Sequence, residues 1–61
     1  MSAKSDLQNR IAVKKSLAAK HERLAAVAGS LPKRNTWLFH ARRFHAQVRV
    51  LETQFAQQYG S

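Results

Sequence analysis

"WLFHARRFHAQVRVLETQFAQQY", residues 37–59, decides the fold. Trp37, Ala41, Phe44, Val48, Leu51 and Phe55 follow one another at a 4-3-4-3-4 spacing, with Tyr59 a further turn on. Apolar residues alternately three and four apart form a single stripe along an α-helix, the seam of a heptad. No β-type alternation competes with it. The aromatics on this stripe read as core, because they keep step with Val48 and Leu51.

Working back from the stripe, Asn35 is a good N-cap for this helix, and Gly60 stands just past its end. Upstream, Gly29 and Pro32 mark a break: Gly29 can take the left-handed conformation that closes a helix, and Pro32 stops any continuation. The segment before the break is Ala-rich and opens on "SDLQ", Ser5 to Gln8. That run fits a capping box, with Asp6 well placed against the helix dipole. The expected organisation is one domain over 1–61, with a helix over about 5–28, a turn over about 29–35 and a helix over about 36–59. Each helix should be about 24 residues and roughly 36 Å long. A short connection makes them antiparallel neighbours, an all-α helical hairpin.

The first helix has a less regular face. Leu7, Ile11, Leu17, Ala18, Leu24, Ala25, Ala28 and Leu31 fall on one side, but Arg10, Lys14 and His21 share it. A buried lysine is rare without a partner, so these three are expected at the edges or snorkelling. Leu38, Phe39, Val27 and Val50 lie off both stripes. A chain of 61 residues with no cysteine has no disulfide to support a small core. A homodimeric four-helix bundle is the economical solution, with docking on a larger partner as the alternative.

Charge sets the functional expectation. Eleven Lys and Arg stand against three acids, a formal +8. Such a chain repels its copies and attracts polyanions, nucleic acid first. A hydrophobic content of 44% is too high for a basic disordered tail. The chain has no apolar run near the roughly 20 residues of a membrane span, and its basic, Ser-bearing start reads as the first arm of the hairpin rather than as a leader. Lack of cysteine suits a reducing cytoplasm. Enzymatic activity is not expected: Asp6, Glu22 and Glu52 are too widely separated for a paired-carboxylate site, and the chain has no phosphate-cradling glycine loop. No cofactor or metal site is expected either. His40 and His45 are five apart, off the spacing that sets two ligands on one helical face, and the histidines read as solvent-facing or edge residues.

The basic residues are the candidate site. Lys33 and Arg34 occupy the turn; Arg42 and Arg49, seven apart, share an outer stripe of the second helix, with Arg43 beside it. Lys15, Lys20 and Arg23 form a secondary strip on the first helix. After Arg49 no basic residue follows. A merely solvated face would be served by mixed charges, which also stabilise helices through Glu–Lys pairs; this chain largely forgoes acids. The expectation is therefore a phosphate-dominated contact to DNA or RNA with low sequence specificity. The competing reading is a protein–protein adaptor or inhibitor whose basic face docks on an acidic partner, with Leu38, Phe39 and Val50 as contacts. Phe39 could stack a base, pack in a dimer, or enter a partner's groove.

The segment from Leu31 to Glu52, with "WLFHAR" inside it, resembles the helical amino-terminal part of the primosomal protein PriC family, which has Leu-Phe followed by Arg on a comparable helix. The resemblance implies binding to single-stranded DNA and to single-strand-binding protein in replication restart, and it reaches Leu38, Phe39 and Arg42. In architecture the chain also resembles Rop-like plasmid regulators, small dimeric helical hairpins that bind RNA.

Overall fold

The computed structural model describes residues 2–60; Met1 and Ser61 of the domain expected over 1–61 lie outside them. Helix α1 runs Ala3–Ala26 and helix α2 runs Leu31–Tyr59, packed against each other as a hairpin. The body is a plate of 44 × 19 × 12 Å. Its long axis matches the 29 residues of α2 at about 1.5 Å each.

Both helices begin earlier than their cap signals suggest. The N-cap of α1 is Ser2, not Ser5: the Ser5 N–H donates to Ser2 Oγ at 3.1 Å, and the Asp6 N–H donates to the Ser2 carbonyl at 3.1 Å. Two serines three apart can each cap, and the earlier one adds a turn that carries a tertiary contact. Lys4 on that turn brings its Nζ to 5.9 and 6.0 Å from the Phe55 and Tyr59 ring centroids.

The N-cap of α2 is Ser30, not Asn35. Lys33 N–H donates to Ser30 Oγ at 3.4 Å, and Arg34 N–H to the Ser30 carbonyl at 3.0 Å. Pro32 belongs to the first turn of α2, where a missing N–H costs nothing and a fixed φ suits the helix. It starts a helix instead of barring one. Lys33 and Arg34 thereby leave the expected turn and become helical. The connection shrinks to residues 27–30, and Gly29 does not adopt the left-handed conformation. The chain leaves α1 through Val27, and Ala28 N–H donates to the Ala25 carbonyl at 3.3 Å.

Leu7, Ala18, Ala25, Ala41 and Val48 form the buried core, and among the described residues no large side chain is fully enclosed. Trp37, Phe44, Leu51 and Phe55 are half-buried along the expected stripe. The seam of α1 is more regular than its composition suggests. Leu7, Ile11, Lys14, Ala18, His21, Ala25 and Ala28 stand 4-3-4-3-4-3 apart, so Lys14 and His21 hold heptad positions and are half-buried, while Arg10 is exposed. Lys14 is accommodated because its Nζ lies 5.4 Å from the Phe44 ring centroid, a contact worth about 0.5–1 kcal/mol at a partly solvated site. Leu31 is not part of the α1 face: it opens α2 and is 70% exposed.

Candidate nucleic-acid interface

Two of the three acids are used to bridge the helices. Lys15 Nζ sits 3.3 Å from a Glu52 carboxylate oxygen, and His45 Nε2 contacts the Glu22 carboxylate. All four side chains are about half exposed, so each pair contributes roughly 0–1 kcal/mol. Their value here is geometric, because they define one face of the plate. On that face Lys15, Arg42, His45, Val48, Arg49 and Glu52 line an open groove of about 670 Å³. Arg42 and Arg49 are exposed and, among the described residues, make no ion pair. Seven residues apart, they stand roughly 10 Å from each other along the helix.

Lys15 therefore belongs with Arg42 and Arg49, not with Lys20 and Arg23. Those two lie around a separate depression of about 410 Å³ on the outer side of α1, with Val13 and Leu17. The expected strip on the first helix is split because Lys15 leans toward α2, while Lys20 and Arg23 point away from it. Arg43 also leaves the Arg42 stripe. One residue turns the helix by about 100°, and its guanidinium carbon lies 5.9 Å from the centroid of Phe39. Phe39 and Val50 are off the seam and 57% and 67% exposed. Leu38 is half-buried, less available to a partner than the sequence suggests.

Lys33 and Arg34 are exposed in the first turn of α2, which contains no acid. The positive end of the helix dipole reinforces their charge toward an anion and opposes it for helix stability, by about 0.3–1 kcal/mol each.

His21, expected at a solvent-facing or edge position, is half-buried at the turn end of the seam. Its ring centroid lies 5.6, 5.7 and 5.1 Å from those of Trp37, His40 and Phe44. Nδ1 is 2.7 Å from the Leu17 carbonyl; a carbonyl only accepts, so this nitrogen carries the proton. The heptad position of His21 is the signal that sequence reasoning passed over. Among the described residues no three potential metal ligands converge, and no helix is long and apolar enough to cross a membrane. Comparison with protein-family models, with curated proteins and with solved structures finds no match to this chain.

Proposed function

We propose that this chain is a small cytoplasmic nucleic-acid-binding protein that grips phosphates through the groove between its helices and through the first turn of α2. It works as a homodimeric four-helix bundle with low sequence specificity and no catalytic role, an accessory factor in replication or in plasmid or phage regulation. The carrying observation is the groove. Lys15 is partly neutralised by Glu52 at 3.3 Å, but Arg42 and Arg49 flank the same opening with no acidic partner among the described residues. Guanidinium groups suit phosphate oxygens, which they can engage with two parallel N–H donors. Lys33 and Arg34 extend the positive surface to one end of the plate. The Leu38, Phe39 and Arg42 resemblance to PriC supports the replication setting.

A thin core supports the dimer: five buried residues among those described, three of them alanine, leave a two-helix body that gains from a second layer. The adaptor reading keeps one observation of its own, the exposed Phe39 with Arg43 against its ring. The test is fluorescence anisotropy with single- and double-stranded DNA and RNA at increasing salt. Phosphate gripping predicts binding whose log affinity falls steeply and linearly with log salt. Absence of binding at low salt rejects it and directs attention to Phe39 and an acidic protein.

A further inference from the structure

Along α2 alone the histidines do not pair, since His40 and His45 are five apart. The fold gives His40 a different neighbour. His21 of α1 lies across the seam from it, with ring centroids 5.7 Å apart and both residues half-buried. His21 Nδ1 donates its proton to the Leu17 carbonyl at 2.7 Å, so Nε2 keeps a free lone pair. A histidine that holds a metal through one nitrogen almost always donates from the other in this way, which fixes its tautomer and its ring. His40 makes no hydrogen bond among the described residues, so a lone pair of its ring is free as well. The separation also fits. A metal about 2.0–2.1 Å from each ring nitrogen stands about 3.2 Å from each ring centre, so two imidazoles at a tetrahedral to linear angle hold their centroids about 5.2–6.4 Å apart.

We propose that His21 and His40 form an open two-imidazole site for a divalent zinc, copper or nickel ion that clips α1 to α2, with water in its remaining positions. This goes beyond nucleic-acid binding and does not depend on it. The donor set selects the metal: imidazole nitrogen suits zinc, copper and nickel, whereas Ca2+ and Mg2+ take oxygen ligands. The two carboxylates that bridge the helices are engaged elsewhere, Glu22 by His45 and Glu52 by Lys15. Lys14 opposes a cation here, because its Nζ lies 5.4 Å from the centroid of the Phe44 ring on which His21 also packs. That charge weakens the site without taking a ligand position.

The place suits the need. Small chains gain from a disulfide, a metal or a partner, and this one has no cysteine. Along the seam beside His21 and His40 the buried residues are Ala18, Ala25 and Ala41, which offer little apolar area to hold two helices together. One ion bonded to both helices adds a tie where every enclosed side chain is a methyl group.

Trp37 reports on the site, because it is the one tryptophan and its ring centroid lies 5.6 Å from that of His21 and 6.4 Å from that of His40. Cu2+ is the most sensitive probe, since it stands highest in affinity among the first-row divalent ions. Titrating the full chain with Cu2+ at neutral pH should quench Trp37 fluorescence saturably and raise the midpoint of thermal unfolding, as an ion that binds only the folded hairpin must. Both effects should vanish in His40→Gln, which lies off the 4-3 stripe, and in His21→Gln, and should persist in His45→Gln. Circular dichroism checks that each variant is helical, and His40→Gln decides the matter if His21→Gln does not fold. Absence of either effect in the unaltered chain, quenching that never saturates, quenching that survives in His40→Gln, or quenching lost in His45→Gln overturns the site.

Discussion

The two helices treat charge in opposite ways. Helix α1 has Asp6 in its first turn and Arg23 in its last, each on the side that the helix dipole favours. Helix α2 has Lys33 and Arg34 in its first turn, no acid there, and no base in its last. Helix α1 sets Asp6 against the one cation of its first turn, Lys4; helix α2 has two cations there and no acid to offset them. What offsets them in α2 is the Ser30 cap, Pro32 in the first turn and a seam rich in aromatics. Charge retained against local stability is the pattern expected of a surface that has something to hold.

That contrast can be broken by experiment, and the largest expected effect is on the cap. Ser30→Ala should destabilise the hairpin by about 1–2 kcal/mol, since no first-turn acid replaces the lost acceptor. Ser2→Ala should have a smaller effect because Asp6 remains. Urea unfolding followed by helical circular dichroism gives both values, and equal losses would contradict the account of α2 as the less self-sufficient helix. Next comes the charge itself. Replacing Lys33 and Arg34 with glutamate should stabilise α2 by about 0.3–1 kcal/mol per residue while weakening nucleic-acid binding. The two readouts moving the same way would separate the turn from the binding surface.

A smaller effect sharpens the connection. Gly29→Ala should raise stability by about 0.4–1 kcal/mol, because Gly29 has no left-handed backbone to preserve and an added Cβ meets nothing within 4 Å. A loss in thermal unfolding would show a special conformation at this glycine after all. The smallest is Glu52→Gln. Losing the half-exposed pair with Lys15 should change stability by less than about 1 kcal/mol, and removing the carboxylate should make the groove more attractive to phosphate. Weaker binding in that variant would mean Glu52 positions Lys15 rather than neutralising it.

Much of this is legible in the sequence. The 4-3 spacing from Trp37 to Phe55 gives a helix and its buried side at once, and the distance of seven between Arg42 and Arg49 puts them on one stripe. The helix starts were harder because their signals are ambiguous. Pro32 can end one helix or begin the next, and both Ser2 and Ser5 can cap. Lys14 and His21 hid the α1 seam, since polar side chains at heptad positions look like interruptions until Phe44 and Trp37 are known to lie beside them. The division of Lys15 from Lys20 and Arg23 needed the position of the second helix, which their spacing alone does not contain.

The most direct test of the central claim is the salt dependence of nucleic-acid binding in the unaltered chain and in the Arg42→Ala, Arg49→Ala double variant. If the groove holds phosphates, the variant should retain its helicity, bind more weakly, and show a slope of log affinity against log salt shallower by about 1.4–1.8, the loss of two phosphate contacts. An unchanged affinity and slope in a folded variant would contradict the account and take the two arginines out of the site.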